Sequence, residues 1–241
     1  MKRIVIGVTL LALLLGLVVV VQGATSKSQQ VAAQVATEYL QKLLQQIKFA
    51  QEVDIQKLLS EIFPIVIPEG LIKVGSNYAM YYRDDPEYHS GGRARHTFGW
   101  YSESVGCGAL YPLVYGDRFK PCSLAPDTSA SMPWSNGGIG WKVNIPDRFG
   151  TVGFWLNWAY PPTGSAIATG GLYFTNPGRN WDGIPHAYVF HFGLPFPISV
   201  VVECDGGSTT MTVHEVYVIT WEDWCHGGDN DQNDFLVALF H

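Results

Sequence analysis

Between Trp221 and Asp234 the chain sets five carboxylates, Glu222, Asp223, Asp229, Asp231 and Asp234, and the amides of Asn230 and Asn233 around a Gly227-Gly228 turn. Folded together without a cation, so many oxygen donors repel one another. Hard divalent cations, Ca²⁺ above all, take roughly six to eight oxygen ligands at about 2.3 to 2.6 Å, and loops with Asp or Asn at alternate positions supply them. The chemistry indicated is calcium binding. Asp229, Asp231 and Asn233 match the first, third and fifth positions of an EF-hand loop, but Asp234 stands where that motif needs Gly and Phe240 where it needs Glu. The loop is therefore no EF-hand. Its remaining ligands must come from Glu222 and Asp223 before the turn, or from Asn176, Asn180 and Asp182 in the segment Thr175 to Gly183.

Catalysis has less to build on. The chain contains no Gly-x-Ser-x-Gly, no His-Glu-x-x-His and no Gly-rich phosphate loop. His186 and His191 lie among apolar neighbours and read as packed or hydrogen-bonded structural histidines. Glu222 and Asp223 offer the two carboxyl groups that a secreted glycoside hydrolase needs, but adjacent strand residues point to opposite faces. No catalytic residue is expected, and the chain reads as non-enzymatic. Trp134, Trp158 and Tyr160, with Trp141 and Trp155, crowd around loops rich in Gly, Asn and Pro. Most such aromatics belong to cores. Trp134, Trp158 and Tyr160 are the candidates for stacking on a sugar, which would make a calcium-dependent carbohydrate-binding module.

The elements that must hold these residues are mostly strands. With 26 Gly, 14 Pro, 8 Trp, 12 Tyr, 12 Phe and only 15% charged residues, the composition favours short strands joined by turns. Eleven β-type runs follow one another from Leu71 to Phe240: 71–74, 77–82, 95–102, 110–115, 140–143, 151–158, 171–174, 186–192, 198–203, 209–220 and 234–240. They predict an all-β domain over 64–241, a β-sandwich of jelly-roll-like type. Before it, over 25–63, Val31, Val35, Tyr39, Leu43, Ile47 and Ala50 recur at helical spacing among Gln, Lys and Glu. This predicts an amphipathic α-helix with Asp54 as a point of breakage and Phe63-Pro64 as its end. Such a helix either packs on the domain behind it or assembles with other copies or cell-surface partners.

Residues 1–24 read as an export signal, with Lys2-Arg3 before the apolar stretch Ile4 to Val21, or as a single N-terminal membrane anchor. Either places the body outside the cytoplasm, secreted or at the cell surface. Four cysteines suit that compartment. They allow three connectivities, and pairing of sequence neighbours, Cys107 with Cys122 and Cys204 with Cys225, is expected because each pair brackets a hairpin or crossover. The net charge of −6 and the lack of a basic cluster beyond Lys2-Arg3 argue against nucleic acid as a partner.

Two segments carry a resemblance. Tyr173-Phe174-Thr175-Asn176-Pro177, Asn180-Trp181-Asp182-Gly183 and His186, followed by Glu222-Asp223 and Gly227-Gly228-Asp229-Asn230-Asp231-Gln232-Asn233-Asp234-Phe235, are similar to the two signature segments of the family called "domain of unknown function 4114". Phe98-Gly99-Trp100-Tyr101 and Val152-Gly153-Phe154-Trp155-Leu156 resemble its glycine-aromatic strands. Gln232 stands where that family usually has an aromatic residue. The resemblance implies an exported β-sandwich that binds Ca²⁺, found in adhesins and envelope proteins of bacteria. It places the metal ligands among Glu222, Asp229, Asp231, Asn233 and Asp234, with Asn180 and Asp182 nearby.

Overall fold

The computed structural model describes residues 26–73, 75, 77–84, 95–104, 110–115, 118–119, 140–159, 171–204, 207–222 and 230–241. Two helices, α1 (Lys27–Leu44) and α2 (Ile55–Glu61), precede twelve strands. These are β1 (Ile65–Ile67), β2 (Ile72–Lys73), β3 (Tyr78–Asp84), β4 (Arg95–Ser102), β5 (Leu110–Tyr115), β6 (Arg118–Phe119), β7 (Gly140–Val143), β8 (Thr151–Ala159), β9 (Leu172–Phe174), β10 (Ala187–Cys204), β11 (Gly207–Trp221) and β12 (Phe235–Phe240). One sheet runs β1-β10-β11-β12-β3-β7; the other runs β2-β8-β4-β5-β6, with β9 added to β8. Pairing is antiparallel except where β7 meets the end of β10. The fold is thus mainly β, as the composition predicts.

Alternation along the strands builds two apolar layers. Tyr82, Val189, Ile219, Trp221, Phe235 and Val237 face the second sheet and meet Phe98, Phe154 and Leu156. Phe98 stacks on Phe154 at 5.6 Å and meets the edge of Trp221 at 6.4 Å. The opposite face of the first sheet carries Phe190, Val200, Val218, Leu236 and Ala238, and the helices cover it. Strands apolar on both faces, such as β12, are therefore central and fully buried.

The helical segment over 25–63 is broken as expected at Asp54, which opens α2, but α1 already ends at Leu44. Ser26 caps α1 by accepting the Gln29 N–H at 3.1 Å, and Asp54 caps α2 by accepting the Lys57 N–H at 3.0 Å. Between them the chain leaves the helix to run beside β10, where the Val201 N–H donates to the Lys48 carbonyl at 2.9 Å and the Ala50 N–H to that of Ser199 at 2.8 Å. The edge of β10 thereby gains partners that a continuous helix could not provide. The buried face of α1 is also rotated from the expected stripe. It consists of Ala32, Ala33, Ala36, Tyr39, Leu40, Leu43 and Leu44, while Val31 and Val35 are half-buried and Ala50 is exposed. Three alanines let the helix approach the sheet closely. Its apolar stripe is thus covered by the protein's own sheet.

Two further differences concern strands. The expected runs 186–192 and 198–203 form one strand, β10, whose register against β11 shifts between Gly193 and Ile198. Pro195 and Pro197 fall within that shift, where their missing N–H groups break no ladder bond. The segment 64–70, which lies before the first expected run at 71–74, contains β1 on the edge of the first sheet. Among the described residues, no helix is long and apolar enough to cross a membrane. The expected export segment, Cys107, Cys122 and Cys225 lie outside the described residues, and Cys204 is described only as the last residue of β10, opposite Gly207.

Candidate functional site

Register brings the two segments singled out from the sequence to one end of the sandwich. Ala187 pairs with Trp221, and Trp221 pairs with Phe235. The 175–186 loop that enters β10 therefore lies at the same end as Glu222, after β11, and residues 230–234, before β12. Their junction is His186, a fully buried residue just ahead of β10. Its Nε2 lies 2.8 Å from Asp182 Oδ2, its Nδ1 lies 3.2 Å from the Glu222 carbonyl, and its own carbonyl accepts the Glu222 N–H at 2.9 Å. Both ring nitrogens face oxygens. Tyr173 stacks on the imidazole at 3.7 Å with the planes 17° apart.

The 175–186 loop is held by its own side chains. Asn180 Oδ1 accepts the Phe174 N–H at 2.7 Å, while its Nδ2 donates to the Phe174 carbonyl at 3.2 Å and to that of Ile184 at 2.8 Å. Asp182 Oδ1 accepts the Ile184 N–H at 3.1 Å. Burial pushes the Asp182 carboxyl up, but the hydrogen bonds from His186 and the Ile184 N–H outweigh it and hold the group below the ordinary Asp value. Thr175 exchanges bonds with β8, its N–H donating to the Phe154 carbonyl and its Oγ1 accepting the Phe154 N–H, each at 2.9 Å. Gly70, at φ +62°, lets the turn after β1 press on this loop, since a Cβ there would lie 2.2 Å from the Thr175 carbonyl oxygen.

A charged clamp ties the loop to the end of β4. Arg179 Nε donates to Glu103 Oε1 at 2.8 Å, Nη2 reaches Oε2 at 2.5 Å, and the guanidinium lies 4.8 Å from the Tyr101 ring centre. The Arg179 hydrogen bonds hold the Glu103 carboxyl below its ordinary range, whereas burial, followed by the Glu103 charge, pushes the Tyr101 phenol up to about 12. Asn180 and Asp182, expected near the metal, thus have their oxygens engaged within the loop.

The described residues before β12, 230–234, are shaped differently. Asn230 and Gln232 adopt positive φ, +61° and +60°. The carboxylate of Asp231 accepts from Asn233 twice, from the backbone N–H at 3.2 Å and from Nδ2 at 2.6 Å. Oδ1 takes the backbone N–H and Oδ2 takes Nδ2. Glu222 is buried, and Asp234 is half-buried at the start of β12. Gln232 is only 1% exposed, and among the described residues its Oε1 has no hydrogen-bond partner. Ser28 of α1 donates to Asn230 Oδ1 at 3.4 Å, which brings the start of the helix to the same end. Among the described residues no three His, Cys, Asp or Glu side chains already form a group able to hold a metal. Asp223 and Asp229 lie outside the described residues.

Of the aromatics expected to stack on a ligand, Trp134 and Tyr160 lie outside the described residues, as does the side chain of Trp158 in β8. Trp141 and Trp155 are core residues, and Trp155 Nε1 donates to the Trp100 carbonyl at 3.2 Å. Among the described residues, the exposed ring at this end is Trp181, 67% exposed. Nothing in its local sequence marks it as exposed. The Glu103–Arg179 clamp was equally invisible, since it joins residues 76 apart in the chain.

The inner face of the first sheet turns polar away from this site. Glu215 accepts from Tyr217 at 3.0 Å and pairs with His191 Nε2 at 2.9 Å and His241 Nδ1 at 3.0 Å. Burial pushes the Glu215 carboxyl up, but its bonds to His241, Tyr217 and His191 outweigh this and set it below the ordinary Glu value. Burial, reinforced by the Glu215 charge, raises the Tyr217 phenol. No known protein-family model matches the chain, and no curated protein matches its sequence.

Proposed function

We propose that this protein is an exported, non-catalytic, calcium-stabilised β-sandwich that serves as a structural or adhesive subunit at the cell surface or in an extracellular assembly. The observation that carries this reading is Gln232 Oε1, a buried carbonyl oxygen without a donor among the described residues, in a segment rich in carboxylates. Leaving a buried acceptor unsatisfied costs about 1 to 3 kcal/mol. A hard cation satisfies such an oxygen where no N–H reaches it. The donor set fits Ca²⁺: the carboxylates of Glu222, Asp229, Asp231 and Asp234, and the amide oxygens of Asn233 and Gln232. Asn180 and Asp182 take a supporting part, keeping the facing loop in shape and, through His186, fixing the backbone of Glu222.

When bound, the ion supplies positive charge to a loop that otherwise repels itself. The resemblance of both segments to the "domain of unknown function 4114" family points the same way. Ligands scattered over the 222–234 loop converge only in the folded chain, so binding energy becomes folding energy. At a free Ca²⁺ concentration 100 times Kd the gain is about 2.7 kcal/mol. For a chain of this size that raises Tm by roughly 5 to 11 °C. Thermal melts in Ca²⁺ and in chelator measure it, and equal melting temperatures contradict the proposal. A second reading, a calcium-dependent carbohydrate-binding module, is favoured by the exposure of Trp181 at the same end.

A further inference from the structure

We infer that the open edge of β11 over Gly207–Val213 pairs with the same edge of a second copy of this chain, joining two molecules through one antiparallel sheet. β10 runs beside β11 from end to end, but β12 accompanies only Val216–Trp221. The His241 carbonyl then takes the N–H groups of His214 and Glu215, and beyond it, among the described residues, no strand lies on that side of Gly207–Val213. Which backbone groups point outward follows from the far side of β10. There the Val201 N–H and the Ser199 carbonyl are bonded to Lys48 and Ala50, so both residues direct their backbone groups away from β11. In an antiparallel ladder, hydrogen-bonded pairs alternate with pairs that are not. Val201 and Ser199 sit opposite Thr210 and Thr212, whose N–H and C=O groups therefore face the open side, as do those of Ser208 in the same row. His214, next in that row, bonds outward to His241 as this requires.

The edge is fit for pairing. Ser208, Thr210 and Thr212 are all exposed and span about 14 Å of strand. Folded proteins blunt open edges with proline, charge or brevity. β1, an edge of the same sheet, is three residues long between Pro64 and Pro68. Gly207–Val213 carries neither proline nor charge, and its Thr and Val residues favour strands. Symmetry selects the occupant. Antiparallel pairing about a two-fold axis at Thr210 sets Thr210 against the second copy's Thr210 and Ser208 against its Thr212. Every outward N–H of the row then meets a carbonyl, hydroxyl side chains face hydroxyl side chains, and no like charges are opposed. Recognition of an unrelated extended peptide reads its side chains in pockets. A row of one serine and two threonines offers instead a uniform surface that complements itself. The inference names the partner within the structural-subunit reading and does not rest on Ca²⁺.

The test is sedimentation equilibrium of the full-length protein, with Ca²⁺ and with chelator, up to about 100 µM, which captures any dimer of micromolar Kd. The wild type should dimerise. Thr210→Pro deletes an outward N–H from each copy while leaving the bonds to β10 in place, so it should weaken the dimer roughly 5- to 150-fold. Thr210→Lys and Thr210→Glu each set like charges against each other at the axis and should be monomeric alone, whereas their equal mixture should recover the dimer. That pair decides the matter if Thr210→Pro melts early. A wild type that stays monomeric, association unaltered by these variants, or a mixture that does not recover overturns the inference. Failure of the calcium reading is separate. A dimer whose Tm is indifferent to chelator supports the edge pairing and contradicts the calcium site, and a Ca²⁺-dependent Tm in a monomer overturns the edge pairing alone.

Discussion

Replacing Asp182 by alanine removes two hydrogen bonds from the junction of the two loops. One is the bond between Oδ2 and His186 Nε2 at 2.8 Å, and the other is accepted by Oδ1 from the Ile184 N–H at 3.1 Å. A bond to a charged group contributes about 1.5 to 3 kcal/mol and an ordinary one about 0.5 to 1.5. The His186 ring is fully buried, so its Nε2 is left without an acceptor and without water. The expected loss is about 3 kcal/mol at neutral pH, or roughly 6 to 12 °C in Tm. Asp182→Asn keeps an acceptor without its charge and should lose about half as much. The acid side supplies a second check. The folded Asp182 carboxyl titrates below its unfolded value, so its stabilisation is complete above about pH 4 and is lost as pH falls toward the depressed value. The gap between wild type and Asp182→Ala should therefore narrow as pH falls below about 4. Melts followed by circular dichroism at fixed Ca²⁺ measure both effects. A loss below about 0.5 kcal/mol, or a gap that does not narrow in acid, refutes the assigned role of the pair.

Glu215→Gln tests the polar end of the inner face. Because its folded carboxyl also lies below the ordinary value, the loss of about 1 to 2 kcal/mol expected at neutral pH should shrink below about pH 4, as urea melts across pH will report. Leu40→Ala, in the helix-covered layer, should cost about 2 to 5 kcal/mol, and a cost below about 1 would mean that α1 contributes little to the fold.

Much of the strand order could be read from alternation, because a sheet buried on one or both faces writes its period into the chain. β3, β4, β5, β7, β8, β11 and β12 lie close to the expected runs. The failures have physical causes. Pro195 and Pro197 look like a break, yet a register shift accommodates them inside β10. The regular apolar spacing around Ile47 and Ala50 continues past Leu44, but the backbone there pairs with the edge of β10, a tertiary demand that local periodicity does not encode. At the site, residue types identified the acidic loop and the Asn180–Asp182 loop. They did not show that Asn180 would bond to Phe174 and Ile184, nor that Gln232 would be buried with its oxygen unsatisfied among the described residues. Such facts depend on where backbone groups far apart in the chain come to rest.

Calorimetric titration of Ca²⁺ into the chelator-stripped protein, wild type beside the Asp231→Ala/Asp234→Ala double variant, tests the central proposal most directly. Saturable binding by the wild type and none by a double variant whose far-ultraviolet circular dichroism is unchanged is the predicted result. Absence of binding by the wild type, or equal binding by both proteins, contradicts it.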